Sequence, residues 1–331
     1  MGFLVNLEEL RWYSEGPHTY FSDIMDYSFF EYVSKSTIRS IYLSDVQVFN
    51  KNRISFPVKL ELSKLSVGID DGPDEFYESL LESTTGTISE LRINFSISEK
   101  LNYLSFPCLK KLKLDGDSLR SFNTISKMIE TCKLESLYHF NYSVLELGNI
   151  PSLRTFSTDR DPTCWSKFIS KNPQITTLMI NYLRKSDHSL ISPHLQNLQV
   201  LVIDLNCVTN TYLRRSMREI MGWNLRNLHH LRLNIGKCFA PFNVWNIIPL
   251  LRGSNISIIQ LDLSSKCHLE ELKKISPWPS LREIIFLDES VKFTDHGLVF
   301  SKTLDSAFEC FFNSRHNEDR WRRRKNEESP Y

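Results

Sequence analysis

Three short stretches of this 331-residue chain carry side chains that could do chemistry. Cys267-His268, with Glu270 and Glu271 just behind, brings a thiol, an imidazole and two carboxylates together. Such a set could ligate zinc or activate a thiolate. Zinc, however, needs four ligands converging at about 2.0–2.3 Å, and no C-x-x-C pair supplies the other half. Cys267 also follows a strand-like apolar run, where a small apolar side chain packs. His229-His230 offers two imidazoles, but neighbouring strand residues face opposite ways, so the pair does not converge. The third stretch is the basic run Arg320-Trp321-Arg322-Arg323-Arg324-Lys325. It reads either as a solvated tail or as a nuclear-import signal, with Trp321 also able to stack on a base.

Other catalytic signatures do not occur. The chain has no G-x-G-x-x-G, no G-x-x-x-x-G-K-[ST], no G-x-S-x-G and no H-E-x-x-H. Eleven glycines in 331 residues also argue against phosphate-cradling loops. Without a convergent acid, base or nucleophile, the expectation is a protein that is not an enzyme and holds no cofactor or metal.

Composition narrows the classes further. Forty Lys+Arg stand against 39 Asp+Glu, so no global field favours nucleic acid or an anionic membrane. A hydrophobic content of 41% supports a continuous core and excludes wholesale disorder. The seven cysteines, Cys108, Cys132, Cys164, Cys207, Cys238, Cys267 and Cys310, are odd in number and unclustered. That fits reduced thiols, hence a cytoplasmic or nuclear setting. The first nine residues lack a basic n-region and reach Glu8 before an apolar core could form, so no secretory signal is expected. No uncharged run approaches a membrane span. The N-x-S matches at Asn94, Asn141 and Asn255 are accordingly read as accidental.

The elements that would position these residues repeat along the chain. The spacing L-x-x-L-x-L begins at Leu7/Leu10/Trp12 and returns at Ile38/Ile41/Leu43, weakly at Val58/Leu60/Leu62, then at Ile88/Leu91/Ile93 and Leu109/Leu112/Leu114. It continues through Leu134/Leu137/His139, Leu153/Phe156/Thr158, Ile175/Leu178/Ile180 and Leu198/Leu201/Ile203. Leu228/Leu231/Leu233, Ile258/Leu261/Leu263 and Leu281/Ile284/Phe286 complete twelve copies. One copy cannot bury its own apolar side, so the copies must stack. The longer intervals leave room for helices, expected over Phe21–Ser34, Asp74–Ser83, Ser118–Cys132, Thr163–Lys171, Thr211–Met221 and Phe242–Arg252. Thr294-Asp295 reads as the cap of a last helix carrying Leu298, Phe300, Leu304, Phe308 and Phe311-Phe312. Residues 1–313 would then form one solenoid with a C-terminal capping helix, and 314–331 a flexible basic tail.

The phrases Phe106-Pro107-x-Leu109-Lys110-x-Leu112 and Trp278-Pro279-Ser280-Leu281-Arg282-x-Ile284 carry a family resemblance. Over roughly residues 4–290 the chain resembles the leucine-rich-repeat superfamily, specifically the irregular, helix-backed ribonuclease-inhibitor-like and F-box/LRR arrays. The resemblance implies a curved α/β solenoid with a parallel sheet on the concave side and helices and turns on the convex side. It further implies a protein-interaction scaffold, and in its narrowest form the substrate-recognition part of an F-box-type ubiquitin ligase. A repeat strand starts almost at Met1, so a ligase adaptor is expected only if an F-box is supplied elsewhere. The alternative is an effector or sensor protein that inhibits a single partner. The asparagine of regular repeats, five residues past the middle leucine, is clearly met only at Asn206.

Period 2 then assigns the concave face. Most of its positions are polar, but Tyr138, Phe140, Met179, Val200 and Val202 form an apolar centre beside Lys111 and Lys113. Exposed apolar residues adjoining across strands mark an interface, and these seven are the expected partner-binding residues. The competing reading is that these strands are registered one residue off or covered by a loop.

Overall fold

The computed structural model describes residues 7–13, 33–44, 59–68, 75–94, 103–114, 122–139, 147–158, 162–180, 194–204, 218, 225–234, 248–261, 278–286, 289–294 and 297–302. Twelve short strands lie side by side in chain order, each parallel to its sequence neighbours. They are β1 (Glu9–Tyr13), β2 (Ser40–Ser44), β3 (Lys64–Gly68), β4 (Glu90–Asn94), β5 (Lys111–Leu114) and β6 (Ser136–His139). Then come β7 (Thr155–Thr158), β8 (Thr177–Ile180), β9 (Val200–Asp204), β10 (His230–Asn234), β11 (Ile258–Leu261) and β12 (Glu283–Ile285). An open parallel sheet in strict chain order is the arrangement of stacked repeats. Each unit pairs with the one before and the one after.

The register aligns one core position throughout, from Leu10 and Ile41 through Leu112, Leu137 and Phe156 to Leu231 and Ile284. Ile41, Leu112, Leu137, Phe156, Leu231 and Ile284 are fully covered. On that side α1 (Glu75–Thr84), α2 (Phe122–Glu130) and α3 (Pro162–Lys171) pack, with a 3-10 turn at Ile248–Leu251. Their apolar residues, among them Leu80, Ile125, Trp165 and Phe168, belong to one cluster with the strand residues. Phe156 of β7 and Phe168 of α3 meet at 4.8 Å between ring centroids.

Two hydrogen-bond devices recur at the joints. One carbonyl ahead of each strand from β1 to β11 accepts from two successive amides of the next repeat, as Lys110 O does from Glu135 N (2.8 Å) and Ser136 N (3.0 Å). A tight turn also precedes most strands, closed by bonds such as Leu109 N to Phe106 O and Leu281 N to Trp278 O, both 3.0 Å. Pro107, Pro151, Pro173 and Pro279 sit second in such turns, where a fixed φ suits the backbone. The residue just ahead of a repeat's first core position donates its side chain to a carbonyl of the previous repeat: Thr87, Ser152, Gln174, Asn197, Asn227, Asn255 and Ser280 all do so, at 2.6–3.1 Å. The ladder of the described residues therefore runs ahead of the strands; Asn206 lies outside them.

Three expectations need correction. The third repeat is Leu62/Leu65/Val67, not Val58/Leu60/Leu62: β3 aligns Leu65 with Ile41 and Leu91. Leu60-Glu61-Leu62 imitates the alternating signature, but it forms the buried approach to the strand, with Leu60 and Leu62 each 1% exposed. The eleventh repeat is Ile256/Ile259/Leu261, two residues earlier than Ile258/Leu261/Leu263. Alternation from Ile256 to Leu263 permits both frames, and pairing with Leu231 selects Ile259. Finally, the sheet does not end on a helix capped by Thr294. Glu289–Thr294 (β13) and Gly297–Lys302 (β14) form an antiparallel hairpin on β12. The residues pair Val291 with Phe300 and Phe293 with Leu298, which is strand alternation rather than helical spacing. Leu304, Phe308, Phe311, Phe312 and the tail 314–331 lie outside the described residues.

Helices otherwise fall close to expectation. Asp74–Ser83 is matched by α1, Ser118–Cys132 by the shorter α2, and Thr163–Lys171 by α3. Phe242–Arg252 is described from Ile248 and is a 3-10 turn there. The expected Phe21–Ser34 helix is described from residue 33, where 33–35 are helical; of Thr211–Met221 the description covers Arg218, also helical.

Candidate functional site

Opposite the core, each strand of the parallel sheet contributes two positions or, in the five-residue strands, three, as Asp204 on β9 and Asn234 on β10, and the first two line up as two rows across the sheet. The first row runs through Lys64, Glu90, Lys111, Ser136, Thr155, Thr177, Val200, His230, Ile258 and Glu283. The second runs through Arg92, Lys113, Tyr138, Ser157, Met179, Val202, Arg232, Gln260 and Ile285. Six of the seven expected partner-binding residues, Lys111, Lys113, Tyr138, Met179, Val200 and Val202, are thus brought together on one face of five adjoining strands. Phe140 lies outside the described residues, as do Arg320, Arg322, Arg323, Arg324 and Lys325, and Cys267-His268 with its two glutamates.

The exposure expected for the apolar centre is corrected in part. Met179 and Val200 are half-buried, but Tyr138 is 7% and Val202 2% exposed. Neighbouring strands lie about 4.8 Å apart, so large side chains in one row cover each other. Ser157, flanked in the row by Tyr138 and Met179, is 1% exposed for a residue on this face. Burial also pushes the Tyr138 phenol up from its ordinary value, against smaller lowering effects from the Ser136 hydroxyl and the Lys111 ammonium.

Charge is unevenly spread. Glu90 takes two lysines at once, Lys111 at 2.7 Å and Lys64 at 3.5 Å. Arg92 and Lys113 stand beside them in the second row. On β1 Arg11 pairs with Glu9 and lies 4.9 Å from the centre of the Tyr42 ring. From β6 to β9 the two rows hold no charged residue.

His230 breaks that neutral stretch. Its Nε2 is covered and has no hydrogen-bond partner among the described residues. Burial holds the imidazole below its ordinary pKa, only partly offset by Gln260 and Glu283. His229 is exposed ahead of β10, whereas His230 is both half-buried and on the front face. A group of three or more His, Cys, Asp or Glu able to hold a metal does not occur among the described residues.

Away from this face, Cys132 after α2 is half-buried, and burial pushes its thiol up to about 11. It stays a thiol at neutral pH. Tyr103 donates to a Glu82 carboxylate oxygen on α1, and that bond raises the phenol to about 12.

Sequence reasoning missed Asn172, at the end of α3 and fully covered. Its Oδ1 accepts from Ile150 N at 2.8 Å, and its Nδ2 donates to Phe168 O at 2.9 Å and Gly148 O at 3.3 Å. One side chain thereby fixes the approach to β7 against the helix behind it. The signal was present as Asn172-Pro173, an asparagine opening a proline turn.

Among the described residues no helix is long and apolar enough to cross a membrane. A scan of the chain against protein-family models gave no match, and a search of the curated proteins gave none either.

Proposed function

We propose that the chain is a leucine-rich-repeat protein of the irregular, helix-backed kind. In this reading it works as a non-enzymatic scaffold that docks a partner protein on the concave face of its sheet. The observation that carries the reading is the contrast between the two sides of the strands. Core positions repeat one apolar type, whereas the front rows form a continuous surface whose character changes from charged to apolar. Stacking accounts for the first pattern and makes no demand for the second. A surface patterned beyond what folding needs is a recognition surface. An odd, unclustered set of cysteines favours a reducing compartment, cytoplasmic or nuclear, for such a scaffold. Substrate recognition for an F-box-type ligase is the narrowest form of the proposal.

Capture of partners by the immobilised full chain, quantified by mass spectrometry, tests this reading. Met179→Glu with Val200→Glu on the front should remove a stoichiometric partner. Lys127→Glu, exposed on α2 behind the sheet, should not. Ligase subunits recovered with the partner would add the ligase role. Equal capture by both variants, each confirmed folded by melting, overturns the docking face.

A further inference from the structure

We infer that two copies of this chain join edge to edge, β1 against β1, in antiparallel register about a two-fold axis at Leu10. This contact is separate from the docking face, which lies on the front of the sheet.

The two ends of the parallel run are finished differently. Past β12 the hairpin β13–β14 adds two antiparallel strands, and Leu281 and Ile284 there are 4% and 0% exposed. β1 stands first in the sheet, and among the described residues it pairs with β2 alone. Its core-side Leu7 and Leu10 are half-buried, whereas Ile38 and Ile41, their counterparts one repeat on, are covered. The first repeat therefore keeps apolar surface of the kind that stacking hides in the second.

The ladder fixes which way the main chain of β1 points. Glu8 O accepts from Ser40 N at 3.1 Å, and the register sets Glu9 beside Ser40. In a parallel pair this turns the main-chain groups of Glu8, Leu10 and Trp12 towards β2, and those of Glu9 and Arg11 away from it. An antiparallel strand centred on Leu10 meets those outward groups. Glu9 of each copy then exchanges two main-chain bonds with Arg11 of the other, and Leu10 meets its own counterpart in the closer, non-bonded pair. Such a contact is isologous and closes at two copies.

Charge complementarity selects a second copy as the occupant. Charged residues on an edge strand ordinarily discourage pairing. Here Glu9 and Arg11 are exposed and flank Leu10 with opposite signs. This register alone sets Glu9 opposite Arg11 at both rungs, where unlike charges attract. Moving the axis to Glu9 or to Arg11 sets like charges opposite each other. Arg11 is not a lone cation: it holds Glu9, lies over the Tyr42 ring and makes other contacts. What the pair adds is a neutral set of two glutamates and two arginines.

Sedimentation velocity of the full chain, over about a hundredfold range of concentration, reads the assembly. Monomer should pass to dimer and go no further. Glu9→Arg or Arg11→Glu sets like charges at both rungs and should weaken the dimer about 10-fold or more. Glu9→Arg with Arg11→Glu should restore it. Glu9→Pro removes an outward N–H but no bond to β2, so it should dissociate the dimer and leave melting of the monomer unchanged. Amide exchange needs no variant: Glu9 and Arg11 should gain protection as concentration rises, and Leu10, bonded to β2, should not. A monomer throughout, growth beyond two copies, or a dimer indifferent to the folded charge reversals overturns the inference. Equal gains at Glu9, Leu10 and Arg11 would put the contact elsewhere, and overturn it too.

Discussion

On β5, Leu112 and Leu114 are fully covered, while Lys111 and Lys113 one residue away stay half-open. On β9 the same alternation puts Leu201 and Ile203 inside and Val200 and Val202 opposite. The inside of the two strands is interchangeable, and the outside is not. Inward residues answer to the repeat before and after, so each copy must present the same apolar shape at the same height. Outward residues answer to solvent or to a partner, and they differ from β5 to β9 by a full change from cation to aliphatic. The core thus reports the fold, and the front reports whatever the fold serves.

The harshest way to break the comparison is to remove a large inward ring. Phe156→Ala deletes a fully covered side chain that meets Phe168 of α3, and should cost about 3–5 kcal/mol through transfer and cavity terms. Lys113→Ala, two strands away on the other face, should stay within about 0.5 kcal/mol. Denaturant unfolding of the two variants checks both. Similar losses would mean that the faces are not distinct.

Asn172→Ala comes next. It strands the covered amide of Ile150 and two carbonyls, so a cost of about 1–3 kcal/mol is expected. Hydrogen exchange at Ile150 should accelerate more than at Leu178, whose bonds lie within the strand ladder. Uniform acceleration would show that Asn172 acts on global stability and not on the approach to β7.

Smaller still are the rungs that tie each turn to the repeat before it. Asn197→Ala and Ser280→Ala each remove one side-chain donor, to Pro173 O and Ser254 O, and should cost about 0.5–1.5 kcal/mol. These sites stand several repeats apart, so the double variant should equal the two singles to about 0.3–0.5 kcal/mol. A larger discrepancy would indicate coupling along the array beyond nearest neighbours.

What the sequence revealed follows the same division. Ten of the twelve strands were legible from L-x-x-L-x-L, because burial on one side forces the spacing. The failures were places where the apolar signal is degenerate: Leu60-Glu61-Leu62 ahead of β3, and the long alternation from Ile256 to Leu263. At the C-terminal end Leu298 and Phe300 fit a helix or a strand, and only pairing with Phe293 and Val291 decides. The ladder donors escaped because Ser, Asn, Gln and Thr alternate in the role, so no single letter repeats. On the front face alternation put the six described candidates on one side, Phe140 lying outside the described residues. It could not assign exposure, since the covering of Tyr138 and Val202 depends on what stands beside them in the row.

The smallest effect probes a front-face histidine whose ring nitrogen is covered. His230 has its Nε2 covered, and its ring responds to burial first, then to Gln260, His229, Arg232 and Glu283. Its row neighbours on β9 and β11, Val200 and Ile258, carry no charge. Burial and the cations hold the folded-state pKa below the ordinary value near 6.5, and Glu283 with Gln260 offsets only part. The unfolded chain therefore binds the proton at higher pH than the folded one. Above about pH 6.5 both states are neutral and the group contributes no pH dependence. As pH falls from there towards the depressed folded value, stability is lost, and below that value the loss levels off. His230→Gln has no titrating ring, so its stability should fall less than that of the wild type between pH 7 and pH 5. Taking the difference cancels the other eight histidines. Denaturant midpoints measured across that range decide the matter: parallel profiles would place the imidazole in open solvent, and with it the aliphatic end of the front face.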